Sequence, residues 1–421
     1  MLVLNSFIRH IKNYHREFYY FWKYAILTKL HLWKYRSRKV ILLRLDLIGD
    51  CTMFTSTAKA IREFYKDREM TVVCLSISKP IFDRLDIFDH VIAVDFRPNE
   101  IQYDKLKSLI KTLRQETYDL FLQPQISKYP LADILCASIK CNCRIAIETK
   151  SGNSPEYWVR MVHFLYDKFI PYERGIKSEF DYYGTFVRGL GYQTYRTTRP
   201  YLPYKKQDFI EGNYYVLYPG GSLKQKFWPP DRFAVVADYI YERTGLIGVI
   251  LGVSSEQWVA DEVKSHLKPL TTMSIVDLTG RTSISDVIDI IGNAEFVVSN
   301  DTSGVHIACA TNTPSVANVG GWHFNRFLPY HIENLKPDDH LPLVAYTKMP
   351  CYHCDWQWNI VGERNTECLR RLQCGEPSEC IEKIMAKQML PLVDILITEA
   401  KQSKNNMQKS SREDIEDETG E

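Results

Sequence analysis

Lys39-Val40-Ile41-Leu42-Leu43-Arg44-Leu45-Asp46-Leu47-Ile48-Gly49-Asp50 is an apolar, branched run that ends in a polar turn, and Cys51-Thr52 follows with a helical pattern. A run of this kind without polar alternation fits a strand buried on both faces, as in a parallel sheet. Outward from it the rhythm repeats. Strands are expected at 39–45, 71–75, 91–94, 120–123 and 144–147, with helices near 52–65, 103–116 and 129–139 as the crossovers that parallel neighbours require.

The rhythm lapses over 150–212, where Pro155, Pro171, Pro200 and Pro203 accompany one helical stretch at 179–189, as in a linker. It restarts with strands at 214–218, 246–251, 274–278, 296–299 and 314–319, separated by helices at 231–243, 256–267, 283–293 and 303–311. The fold class is therefore α/β: two Rossmann-like, doubly wound parallel-sheet domains, at 39–200 and 201–400. The length of 421 residues agrees, because one hydrophobic core stops growing well below it.

The flanks differ from this body. Residues 1–38 form a basic, aromatic extension: residues 1–40 carry nine Lys or Arg against one acid, Glu17. Among those cations stand Phe18, Tyr19, Tyr20, Phe21, Trp22, Tyr24, Trp33 and Tyr35, the mixture that settles at a lipid headgroup layer. A peripheral helix on an anionic inner-membrane surface is expected, and hence a cytoplasmic protein held at the inner face. The alternative is a helix that packs on a partner or on the first domain. The segment has neither a continuous apolar core nor a small-residue cleavage site, so a secretion signal is not expected, and no run is long and apolar enough to span a bilayer. Nucleic acid is not expected as a partner. Residues 401–421 are polar and end in acids without aromatic rings, which predicts a disordered tail.

In open α/β sheets ligands lie beyond the carboxyl ends of the strands, and three loops there carry chemistry. After the first strand, Gly49 permits a turn and Asp50 stands at a helix start, where the dipole favours a carboxylate able to take a proton from a hydroxyl. The bland reading is an N-cap aspartate. Tyr218-Pro219-Gly220-Gly221-Ser222-Leu223-Lys224-Gln225-Lys226-Phe227-Trp228-Pro229 pairs glycine amides and the Ser222 hydroxyl with Lys224 or Lys226 for an anion, although a plain surface loop has similar content. Asn300-Asp301-Thr302-Ser303-Gly304-Val305-His306 runs from a strand into a small-residue helix start suited to a diphosphate, with His306 one turn in. The bland alternative is a self-capped helix with a core histidine. No dinucleotide fingerprint and no G-x-x-x-x-G-K-[ST] pattern occurs, so neither nicotinamide chemistry nor ATP hydrolysis is supported.

In this order the loops resemble glycosyltransferase family 9, the heptosyltransferase-like enzymes that build the core of bacterial lipopolysaccharide. The likeness runs from about residue 39 to 390. It rests on the R-L-x-x-I-G-D element ending at Asp50, Pro219-Gly220 followed by Lys226-Phe227-Trp228-Pro229, Leu278-Thr279-Gly280 before a Ser-led helix, and Asn300-Asp301-Thr302 with His306. It implies a GT-B architecture, two Rossmann-like domains facing across a cleft, with the acceptor on the N-terminal side and the donor on the C-terminal side. By position Asp50 matches the catalytic base. Lys226 matches the donor-phosphate lysine, Asp301, Thr302 and His306 the donor-binding helix start, and Glu256 an acid near the nucleotide ribose or base. Locally, Glu256 also reads as a solvated acid in a first helical turn. The chain departs from the family in having Ser303 before Gly304, and Gly321-Trp322-His323-Phe324 where Pro and Thr are usual.

The expectation is an inverting, metal-independent transfer of a sugar, a heptose by resemblance, from a nucleotide-diphosphate donor to a lipopolysaccharide-core or other cell-surface glycan or glycolipid. Catalysis falls to Asp50 and donor binding to Gly220, Gly221, Ser222, Lys226, Glu256, Asp301, Thr302, Ser303, Gly304 and His306, with no cofactor required. A non-catalytic nucleotide-sugar-binding protein and a nucleotide-sugar epimerase share the architecture and stand as alternatives. Six cysteines, Cys51, Cys74, Cys136, Cys141, Cys143 and Cys309, lie in or beside apolar runs, as free thiols in a reducing compartment do. Cys351, Cys354, Cys368, Cys374 and Cys380 contain one C-x-x-C pair, open to structural zinc on one reading and to free thiols or disulfides on the other.

Overall fold

The computed structural model describes residues 2–29, 34–148, 154–172, 178–207, 209–354, 368 and 377–418; Trp33 and Cys374 lie outside them. The chain divides into two compact units, Met1–Ile176 with Phe180–Thr197, and Lys177–Glu179 with Thr198–Glu421.

The first unit holds six strands: β1 (Lys39–Arg44), β2 (Glu69–Leu75), β3 (His90–Val94), β4 (Tyr118–Gln123), β5 (Cys141–Ile147) and β6 (Lys168–Ile170). All pair in parallel, in the order β3-β2-β1-β4-β5-β6. Val40, Ile41, Leu42 and Leu43 are fully buried, as a central strand covered on both faces requires. Strand β6 falls inside the stretch read as linker, and its three residues are too few to show a period. Strand order reverses between β1 and β4, so the loops after those two strands flank the switch point where such sheets bind ligands.

The second unit repeats this winding with β7 (Tyr214–Tyr218), β8 (Ile247–Ile250), β9 (Ile275–Asp277), β10 (Val297–Asn300), β11 (Ser315–Asn318) and β12 (Leu343–Ala345). The order is β12-β11-β10-β7-β8-β9, again all parallel. Its switch point lies between β7 and β10. The loops that follow them are the glycine-lysine loop and the Asp301 helix start. Strand β12, another three-residue piece, has no counterpart in the sequence expectations.

At the N-terminus the structure forms the packing on the first domain that stands as the alternative reading. The N-terminal helix, Leu2–Lys29, packs on the helix Pro130–Ser138. Tyr20, Phe21 and Ala25 are buried in the core of the first unit, and the Thr28 hydroxyl donates to the Ala137 carbonyl at 2.7 Å. Burying Phe21 alone is worth about 1.5–3 kcal/mol, so this helix is part of the fold rather than an appendage. The C-terminal helix runs Ala386–Glu418, where a disordered tail is expected from Lys401. Met389, Val393, Leu396 and Ile397 anchor its first half in the second core. Beyond them Lys, Gln and Glu, good helix formers, extend a helix that packing has already nucleated.

Candidate donor and acceptor sites

At the switch point of the first unit, the helix Ile48–Met53 begins directly beyond β1. Its cap position is Leu47, so Asp50 is not the N-cap aspartate of the bland reading; it lies half-buried within the first turn. Beneath it Arg44 is buried, with Nη2 donating to Tyr183 Oη at 2.7 Å and to the Asp50 carbonyl at 3.3 Å. Its Nε lies 2.8 Å from Asp46 Oδ2, and its guanidinium lies 4.5 Å from the Phe54 ring centre. A buried cation is tolerable only when paired in this way. Asp46 Oδ1 in turn accepts from Gln125 Nε2, which comes from the loop after β4. The arrangement fixes the backbone that carries Asp50. Sequence reasoning missed Gln125 and Tyr183: a charged Arg44 ending an apolar strand signals that a partner exists but not which one.

In the second unit Lys226 is the inner lysine of its loop. Lys224 is exposed and lies over the Trp258 ring. Lys226 Nζ reaches Asp301 Oδ2 at 3.2 Å and the Asp301 carbonyl at 3.3 Å, and sits 4.2 Å from the Trp322 ring centre. The pair is largely buried, with side chains 13% and 6% exposed. Asp301 therefore orients the lysine. An anionic ligand here would meet the ammonium together with the first-turn amides of the helix Ser303–Thr311, which have no partners within the helix. Thr302, at the cap position, makes no side-chain hydrogen bond into that helix, so the self-capping part of the bland reading does not form, while its hydrogen-bonded core histidine does.

His306 is buried one turn in. Nδ1 lies 2.6 Å from Tyr330 Oη, and Nε2 lies 4.0 Å from Asp301 Oδ1. Burial pushes its pKa down to about 4, with Asp301 opposing and Lys226 adding to the shift, so the ring is neutral near pH 7 and makes no ion pair. Gly304 has a steric reason for lacking a side chain: a Cβ there would fall 2.6 Å from the Tyr218 ring. Ser303 Oγ lies 3.4 Å from Tyr218 Oη. The helix start thus closes onto the end of β7.

The glycine loop works differently from the expectation. The Gly221 amide, read as a phosphate donor, donates to Glu256 Oε1 at 2.6 Å, and the Val253 amide donates to Oε2 at 2.9 Å. Glu256 is thus a clasp between two loops, its pKa raised by burial against the opposing pull of those amides. Gly220 is required because a Cβ would lie 2.3 Å from the Glu256 carboxyl carbon. Ser222 is exposed at the loop tip. Asn300, at the end of β10, completes the frame. Its Nδ2 donates to the Pro219 and Gly220 carbonyls, while its Oδ1 accepts from the Trp228 amide at 3.1 Å and Asn318 Nδ2 at 2.8 Å. Asn318 and Tyr330 carry no signal in the sequence, and Trp322 shows there only within a departure from the family pattern.

Among the described cysteines other than Cys354, none is in a disulfide. Cys51, Cys74, Cys136, Cys141 and Cys309 are buried as expected, and Cys143 is half-buried. Cys380 accepts from the Gly321 amide at 3.3 Å, and burial pushes its thiol up to about 11. Among the described residues no group of three or more His, Cys, Asp or Glu is arranged to hold a metal ion.

The chain is similar to the lipopolysaccharide core heptosyltransferase OpsX of Haemophilus influenzae, at 21% identity over 301 residues, 70% of this chain and 82% of that protein. Its fold matches the crystal structure of a family 9 glycosyltransferase from Veillonella parvula, with a TM-score of 0.66 at 14% identity, over 88% of this chain and 100% of that one. It also matches ADP-heptose lipopolysaccharide heptosyltransferase II of E. coli, with a TM-score of 0.63 at 15% identity, over 86% and 99%. The two-sheet fold is the GT-B fold of those enzymes. The model of glycosyltransferase family 9 (heptosyltransferase) matches residues 106–334, more than half of the chain, and the chain belongs to that family.

Proposed function

We propose that this glycosyltransferase moves a heptose from a nucleoside-diphosphate donor to the core of a lipopolysaccharide, with inversion at the anomeric carbon and without a divalent metal. The observation that carries the reading is the largely buried Lys226, held by Asp301 at a helix start whose cap residue makes no side-chain hydrogen bond into the helix. The similar proteins, named as lipopolysaccharide heptosyltransferases, support the sugar and the acceptor class.

In the step, an acceptor hydroxyl oxygen attacks the anomeric carbon and gives its proton to the Asp50 carboxylate. The bond from that carbon to the phosphate oxygen breaks, and the diphosphate leaves with the electron pair. Lys226 and the amides of Ser303 and Gly304 offset the charge it gains. The work is placed at the cytoplasmic face of the inner membrane, with residues 1–40 toward its anionic surface.

Asp50→Asn tests the reading. Turnover should fall by roughly 10²–10⁴ with donor affinity unchanged. Undiminished transfer would remove Asp50 from the chemistry. Transfer to core acceptor in the presence of EDTA should equal that with magnesium.

A further inference from the structure

The N-terminal helix has two apolar faces. Tyr20, Phe21 and Ala25 are spent on the core of the first unit. On the other side Tyr19, Ile26 and Leu27 are 60%, 52% and 56% exposed, and Trp22 is exposed beside them. The stripe continues onto a second element, the helix Glu156–Val162 with the helical turn His163–Leu165 that follows it. Phe18 stacks on Tyr157 at 6.2 Å and Trp22 on Phe164 at 5.6 Å, and both of those partners are exposed. A helix with one face in the core does not normally leave its other face this apolar.

The chemistry of the rim decides what covers it. Lys23 Nζ lies over the Tyr19 and Tyr24 rings at 5.8 and 5.5 Å, the position of a lysine whose stem follows an apolar surface while its charge stays in water. Residues 1–40 carry nine cations against one acid, Glu17, although Lys39 is paired with Glu69 and Glu116 and Arg16 lies over Tyr103 rather than along the stripe. On the second element Arg160 is exposed, paired with Glu156. Tryptophan and tyrosine rings flanked by lysine suit a headgroup boundary, and the excess of cations suits an anionic one.

We propose that this two-element face, Tyr19, Trp22, Ile26 and Leu27 with Tyr157 and Phe164, docks on the headgroup–acyl boundary of an anionic lipid layer. The proposal rests on the membrane reading above and makes it specific. Docking is by one outward stripe and by residues well beyond position 40, while the inward aromatics take no part.

The test is sedimentation of the full chain with vesicles of phosphatidylglycerol and phosphatidylethanolamine, against vesicles of phosphatidylcholine alone. The chain should partition onto the anionic vesicles. Ile26→Ser with Leu27→Ser should weaken that partition by about tenfold or more, and Tyr157→Ser by about threefold. Lys23→Glu, which reverses a charge at the rim, should weaken it as well. Leu270→Ser with Met273→Ser, at exposed apolar positions of the other unit, should leave it unchanged. Thermal midpoints of all variants check that the fold persists.

An unaltered chain that ignores anionic vesicles overturns the membrane reading and this face with it. Partition that survives Ile26→Ser with Leu27→Ser overturns the face and leaves the reading standing, and indifference to Tyr157→Ser removes the second element. Self-association that those same substitutions abolish, without vesicle binding, assigns the face to a second copy and overturns the proposal.

Discussion

Lys226 and Asp301 neutralise each other in a largely buried place, which makes their separate removal informative. Lys226→Met keeps the apolar stem against Trp322 but deletes a charged donor. Donor affinity measured by calorimetry should weaken by about 1.5–3 kcal/mol, roughly 10- to 150-fold. It also strands the Asp301 carboxylate, so the thermal midpoint should fall. Adding Asp301→Asn should restore the midpoint while affinity stays lost, and recovery of both would deny Lys226 a part in donor binding. His306 gives a pH signature. Its folded pKa of about 4 lies below its ordinary 6.5, so the native state prefers the neutral ring. The stability it contributes is present above pH 6.5 and is lost as pH falls from 6.5 toward 4. In His306→Gln the midpoint should vary less across that window, and an unchanged slope would show that another group controls it. Lys226 and His306 were legible because each lies in a short run beside a strand end. Trp322 and Tyr330 were not, since only folding brings their loop to the lysine and the imidazole.

The clasp between the glycine loop and the loop after β8 shows how an element can be read correctly and its purpose misread. Adjacent glycines suggest open amides, yet Gly221 gives its amide to Glu256 and Gly220 makes room for that carboxylate. A glycine records that something approaches closely, not what it is. Gly220→Ala should push the Glu256 carboxylate off the Gly221 and Val253 amides, lowering stability by about 1–3 kcal/mol in denaturant unfolding. The same substitution made in Glu256→Ala should cost far less, because the atoms it collides with are gone. Equal costs in both backgrounds would place the strain elsewhere. The long strands were legible for the reason the clasp was not: a buried parallel strand writes its burial into a continuous apolar run, as Val40 to Leu43 do. Strands β6 and β12 have three residues each, and their pairing is decided by the neighbours β5 and β11.

Across the whole molecule, one winding occurs twice, and each copy offers the loops at its own switch point. The repetition of apolar runs and helical stretches was enough to read both sheets. It left open whether the N-terminal helix packs on the first domain, because Tyr20 and Phe21 look the same in sequence as the outward Tyr19 and Trp22; the helical period sorts them only once one partner, the helix Pro130–Ser138, is in place. The division into units predicts where a donor leaves its mark. A nucleoside diphosphate that binds the second unit stabilises the states that hold its site, by about 2.7 kcal/mol at one hundred times its Kd. Amide hydrogen exchange should therefore slow in the loop after β7 and at the start of the helix Ser303–Thr311. The Ile48–Met53 segment that carries Asp50 should exchange as before, since the diphosphate alone supplies nothing for the acceptor side to hold. Lys226→Met should cut the stabilisation behind that slowing from about 2.7 to about 1.4 kcal/mol or less at matched concentration. Protection centred on Ile48–Met53 instead would move the donor to the first unit and exchange the roles given to Asp50 and Lys226.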